Sequence, residues 1–194
     1  MSSRATFEVR LHGRGGQGVV TAAELLSVAA FLDGRESQAF PSFGSERMGA
    51  PVMSFCRVSD RPIRVREPVL KPSAVVVADA TLLHHVDVFS GLAADGFVLI
   101  NSAFSPTDLG LEELVATHPA GHVITVPATD LAREHVGRPL PNVCLLGALA
   151  ALTGIVSLGA LEQAVRERFP AAVADGNVRA AAAAATLVPE VARA

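Results

Sequence analysis

Tryptophan and tyrosine are absent from the 194 residues, and cysteine occurs only twice. Trp and Tyr are enriched at binding surfaces, so any interface here must rely on Phe, Met, Arg and aliphatic side chains. Cys56 and Cys144 lie far apart, and there is no Cys-x-x-Cys or Cys/His cluster. A zinc site or an iron–sulfur cluster held by this chain alone is therefore not expected. Both cysteines sit among apolar residues and read as buried small hydrophobes. No apolar run of 18 residues escapes polar interruption, so no membrane span is expected. The first residues lead into a strand pattern without the apolar core of a signal peptide, and a cytoplasmic protein is expected. Charge is scarce as well: 18% of residues are charged, 16 basic against 19 acidic, for a net −3. That balance does not suggest nucleic acid or an anionic membrane as partner.

What remains is apolar. Half the residues are hydrophobic, enough for one domain over residues 1–194 with a sizeable core and some surplus to cover an interface. Residues 6–12 alternate, with Phe7, Val9 and Leu11 on one face and Glu8, Arg10 and His12 on the other, a period-two strand. Val19 to Leu32 reads as a helix apolar nearly all round, ended by Asp33-Gly34. A short strand over 36–40 precedes a Gly/Pro/Ser-rich loop at 41–51. Residues 52–58 and 62–66 read as an antiparallel hairpin joined at Ser59-Asp60-Arg61. Apolar runs at 74–78, 97–100 and 123–126 read as strands buried on both faces, with helical character at 81–90 and 106–117 between them. Val143–Ile155 is a strongly apolar helix. Ser157 is placed to cap the next, and Asn177 to start the last.

This order predicts a three-layer α/β/α sandwich, Rossmann-like, with a mixed, mainly parallel sheet and a helical C-terminal third. The stretch Arg57 to Lys71 is the densest in cations. It suits either a solvated hairpin or a patch for an anionic ligand or acidic partner. His84 and His85 read as packing or surface residues. Asp79 and Asn142 read as helix caps, and His12 ends the first strand beside a glycine-rich turn.

That turn is Gly13-Arg14-Gly15-Gly16-Gln17-Gly18, a G-x-G-x-x-G between a strand and a helix. Glycines let the backbone approach a ligand, and free N–H groups at the helix start attract an anion, with Arg14 adding charge. A dinucleotide (NAD or FAD) module is one reading. It requires a carboxylate after the second strand, where Phe40-Pro41-Ser42 stands instead, while Asp33 falls before that strand. Glycines serving only tight strand–helix packing are another reading. In the loop that follows, Ser45, Glu46 and Arg47 project either toward a neighbouring chain's ligand or into an internal ion pair.

The glycine turn running into Ala22-Ala23, then Phe40 to Arg47, then Gly49-Ala50-Pro51-Val52, resembles the gamma subunit of pyruvate and related 2-oxoacid:ferredoxin oxidoreductases. The similarity extends more loosely through Pro62-Ile63, Asp79 and Pro141-Asn142 to Asn177 and Ala180. It departs at Met48, where the family often has a second Arg. The resemblance implies a subunit that is not catalytic alone. Thiamine diphosphate, Mg2+ and [4Fe-4S] clusters belong to partner subunits, electrons leave to ferredoxin or another acceptor through those partners, and coenzyme A is the co-substrate. It also implies that Gly13, Arg14, Gly15, Gly16, Gln17, Gly18, Ser45, Glu46 and Arg47 face the active site and the coenzyme A approach.

Overall fold

A computed structural model describes residues 6–42 and 49–189. Its centre is one six-stranded sheet in the order β2-β3-β1-β4-β5-β6. The strands are β1 (Phe7–Arg14), β2 (Glu36–Pro41), β3 (Pro51–Ser59), β4 (Ala74–Val77), β5 (Phe97–Asn101) and β6 (Val123–Val126). From β1 rightward every pairing is parallel, and β3 runs antiparallel to both β1 and β2. The sheet is therefore mixed and mainly parallel, as the element order requires.

Period-two alternation divides the side chains between two cores. Val9, Leu11, Cys56, Val58, Ala74, Val76 and Leu99 point to one face. Five helices cover it: α1 (Val19–Leu32), α3 (Ala128–Val136), α4 (Asn142–Thr153), α5 (Leu158–Arg168) and α6 (Ala171–Thr186). Val75, Val77, Val98 and Ile100 point to the other, under a thinner layer: a 3-10 turn at Ala80–His84, the two-turn helix α2 (Glu112–Thr117) and their loops. Helix α4 is buried along almost its whole length, as its unbroken apolar sequence requires.

Several local expectations hold. Gly34, with φ +77°, follows α1 and lets Arg35 N–H reach the Ala30 carbonyl. Ser157 accepts from Ala160 N–H at the start of α5, and Asp79 accepts from Thr81 N–H. Both cysteines are buried, which pushes each thiol up to about 12.

Others do not. The hairpin partner of β3 is β2, not residues 62–66. Both edges of β3 are already taken by β1 and β2, so a third strand has nowhere to pair. Residues 81–90 form only the 3-10 turn, and helix 106–117 begins at Glu112, after turns at Pro106 and Gly110. The last helix starts at Ala171 after Pro170, and Asn177 lies in its middle. Gly176 sits inside α6, where a Cβ would stand 2.6 Å from the His135 carbonyl oxygen of α3. Arg10 and His12 are buried although they alternate with the apolar face. Arg10 donates to His12 Nε2 and to the carbonyls of Val69, Val88 and Ser90, tying two loops to the sheet. His84 and His85 are exposed.

Candidate functional site

The chain leaves β1 through α1 over one face of the sheet and leaves β4 over the other. The carboxyl ends of β1 and β4 therefore border a topological switch point, where α/β sheets place ligands. The glycine turn occupies that point. Gly13 has no room for a side chain, since a Cβ would lie 2.5 Å from Val19 Cγ1. Gly18 is left-handed, φ +73°, and its Cβ would lie 2.5 Å from Asn142 Nδ2. Only glycine lets the turn pass this close to α1 and α4.

Two side chains of the turn fold back to fix it. Arg14 directs Nε to Asp79 Oδ2 at 3.2 Å, Nη1 to the Gly49 carbonyl at 3.1 Å and Nη2 to Thr81 Oγ1 at 2.9 Å. Gln17 accepts from Arg14 N–H and donates to the same Asp79 oxygen. Burial alone would raise the Asp79 carboxyl, but hydrogen bonds from Thr81 and Gln17 and the Arg14 charge outweigh it and hold it below its ordinary value. The positive charge expected of Arg14 is thus already balanced. Gly15 N–H donates to the Ala50 carbonyl, and Gly49 N–H to that of Gly15, so the start of β3 is laced to the turn. Ser45, Glu46 and Arg47 lie outside the described residues.

The N–H groups of Gly16, Gly18 and Val19 to Thr21 have no acceptor among the described residues. Gly16, Gly18 and Thr21 border a pocket of about 550 Å³, within the size range of small-molecule sites. Three helices point their N-termini at it. Helix α1 contributes Gly18 and Thr21, α4 contributes Asn142, and α6 contributes Ala172 and Val173. None of the three has a side-chain cap or an acidic residue in its first turn. Each N-terminus carries roughly half a positive charge; no carboxylate is among the described lining residues, and only the C-terminal turn of α3, at His135 and Val136, opposes it. The Arg138 side chain, exposed at the rim, makes no hydrogen bond or ion pair among the described residues. His135 is beside it. The remaining wall is apolar, with Leu140, Phe169 and Pro170.

Asn142 and Asn177 were expected to be helix caps, and neither is. Asn142 donates to the Gly18 carbonyl at 3.3 Å, joining α4 to the turn, and Asn177 donates to Val173 within α6. Both line the pocket. Their separation in sequence hides this, because four elements must meet before the pocket exists. The one local signal is Gly137-Arg138-Pro139, a cation on a rigid loop between two helices.

Among the described residues no carboxylate takes the place that a dinucleotide site requires. Asp33 stands at the opposite end of α1, about 21 Å away along a 14-residue helix. Both its oxygens accept from Ser157. Inserting β3 also moves β2 two strand spacings, about 10 Å, from β1. Among the described residues no three His, Cys, Asp or Glu converge as metal ligands. The geometry defines a Rossmann-like α/β unit with a pocket lined by three helix N-termini at its switch point.

The comparisons with known proteins are specific. The sequence profile described as "Pyruvate ferredoxin/flavodoxin oxidoreductase" matches residues 8–187. Pyruvate synthase subunit PorC of Methanothermobacter marburgensis is 51% identical over 175 residues, 90% of this chain and 93% of that one. The Pyruvate/ketoisovalerate oxidoreductases common subunit gamma of Pyrococcus furiosus is 45% identical over 175 residues, again 90% and 93%. The crystal structure of pyruvate oxidoreductase subunit PORC from Thermotoga maritima superposes with a TM-score of 0.79 at 36% identity, covering 94% of this chain and 97% of that one. The chain belongs to the pyruvate ferredoxin/flavodoxin oxidoreductase family, as its gamma-type subunit.

Proposed function

We propose that this gamma-type unit seats the nucleotide end of coenzyme A at the glycine turn and the adjoining pocket, and so walls one side of an active site held by partner subunits. The single observation carrying this reading is the convergence of three uncapped helix N-termini and Arg138 on a cavity with no carboxylate among its described lining residues. Phosphates suit such a site because the N–H groups point outward and the dipoles favour negative charge. The apolar wall and the amides of Asn142 and Asn177 suit an adenine ring.

In this reading the turn residues divide their work. The backbones of Gly13, Gly15, Gly16 and Gly18 approach the ligand, while Arg14 and Gln17 hold the turn against Asp79. Ser45, Glu46 and Arg47 are assigned as further contacts of the same ligand. Thiamine diphosphate with Mg2+ on a partner chain supplies the decarboxylation of the 2-oxoacid, and [4Fe-4S] clusters on partners carry electrons to ferredoxin or another acceptor. This chain's part is to orient the thiol co-substrate and exclude water from its approach. The protein works in the cytoplasm. Pyruvate or a branched-chain oxoacid is the substrate class, and choice between them falls to the partners, since the Pyrococcus relative is named for both pyruvate and ketoisovalerate.

The test is steady-state kinetics of the assembled complex carrying Arg138→Gln. The Michaelis constant for coenzyme A should rise about tenfold, the loss of one charge-assisted phosphate contact, with kcat little changed. An unmoved Michaelis constant would sink this assignment.

A further inference from the structure

Residues 60–71 cross the sheet face opposite the five helices as an irregular strap between β3 and β4. No backbone N–H from Ile63 to Lys71 finds an acceptor among the described residues. Two buried arginines hold the strap from beneath. Arg57, only 3% exposed, donates to Glu8 Oε1 at 2.6 Å and to the Glu67 carbonyl at 2.6 Å, with Phe40 against its guanidinium at 5.2 Å. Arg10 donates to the Val69 carbonyl. Val69 is the residue of the strap that is buried, and nearly everything else faces out.

What faces out is selective. Arg61, Arg64, Arg66 and Lys71 are exposed, and none makes a side-chain hydrogen bond or ion pair among the described residues. Asp60 is occupied by Arg35 at 3.0 Å. Four basic and two acidic residues give the strap net +2 in a chain of net −3, so the remainder carries −5. Between the cations stand Val65, 51% exposed, and Leu70, 72% exposed. Arginines interleaved with large apolar side chains are the composition of a protein interface. Nucleic acid is disfavoured, because the strap has no aromatic ring on which a base would stack.

We propose that the strap is a docking surface for an acidic face of a neighbouring subunit, with carboxylates opposite Arg61, Arg64, Arg66 and Lys71 and an apolar patch over Val65 and Leu70. This rests on the reading that the chain works in a complex. The surface lies away from the coenzyme A pocket, none of whose lining residues belongs to it.

Lys71 is the only lysine of the chain, which makes the test specific. The assembled complex is treated with a zero-length carbodiimide, and the cross-linked peptides are identified by mass spectrometry. Lys71 should be joined to an Asp or Glu of another subunit. In parallel, Arg61→Glu, Arg64→Glu and Arg66→Glu combined should weaken binding to the remaining subunits by about 100-fold and flatten its salt dependence, while the circular dichroism melt of the isolated chain stays unchanged. Linkage of Lys71 to a second copy of this chain, or unchanged affinity of the variant, would overturn the docking surface alone. Failure of the wild-type chain to assemble at all would overturn both this surface and the reading beneath it.

Discussion

Gly147 and Gly159 both lie in helices, and their surroundings assign them opposite responses to alanine. In an open helix the change gains about 0.5–1 kcal/mol, because glycine loses more backbone freedom on folding. At Gly159, in the first turn of α5, the nearest atom to an added Cβ is Ser157 Oγ at 4.0 Å. Gly159→Ala should therefore stabilise the fold by about 0.5 kcal/mol. At Gly147 the same Cβ would overlap the Ala181 carbonyl oxygen and stand 2.6 Å from its carbon and Cα. The obstacle is backbone, so no rotamer change relieves it, and α4 and α6 must move apart by about 1 Å. Overpacking of this kind costs about 1–3 kcal/mol, and a backbone obstacle belongs at the upper end or beyond. After subtracting the propensity gain, Gly147→Ala should lose about 2 kcal/mol, or about 4–8 °C in Tm for a chain of this size. The assay is urea denaturation followed by circular dichroism, since the chain has no Trp or Tyr to report by fluorescence. If Gly147→Ala falls within about 0.5 kcal/mol of wild type, the range of an ordinary surface change, the α4–α6 packing described above is wrong.

Three further outcomes are expected. Asp79→Asn should destabilise by about 1–3 kcal/mol in the same assay, because Arg14 and Gln17 lose a shared anionic acceptor; an unchanged midpoint would show that the turn does not depend on it. His12 is held neutral down to about 4 by burial first and the Arg10 charge second. Its unfolded form takes a proton near pH 6.5, so stability is complete above that and falls between pH 6.5 and 4, by about 3 kcal/mol at most. His12→Gln should remove that part of the slope, which unfolding at pH 7 and pH 4.5 will detect. Arg57→Met should cost about 3 kcal/mol, since Glu8 keeps a half-covered charge without its partner; a loss under about 1 kcal/mol would mean that the strap is held by other contacts.

The layered architecture was legible because its signals are local. Apolar runs marked the central strands, alternation marked β1, and Asp33-Gly34 and Ser157 marked helix boundaries. The misplaced hairpin shows where local signals stop. Residues 62–66 alternate as a strand should, but only the sheet reveals that β3 has no free edge left. Gly176 carries no local signal of its role. Its use is to let α6 approach the His135 carbonyl, a contact 41 residues away in sequence. The glycine turn was visible from its motif, whereas the pocket beside it was not. Arg138, Asn142 and Asn177 become neighbours of Gly18 only after four elements assemble. Arg14 reads as an anion ligand in sequence, and only the fold shows that Asp79 has already claimed it.

In the proposed complex, backbone N–H groups at three helix starts meet a phosphate-bearing ligand. Amide hydrogen exchange of the assembled complex, with and without coenzyme A, reads those groups directly. Exchange should slow on binding at Gly16 to Thr21, at Asn142 to Cys144 and at Ala171 to Val173, with little change along the strap. Unaltered exchange at all three helix starts, while coenzyme A is bound and turned over, would contradict these contacts.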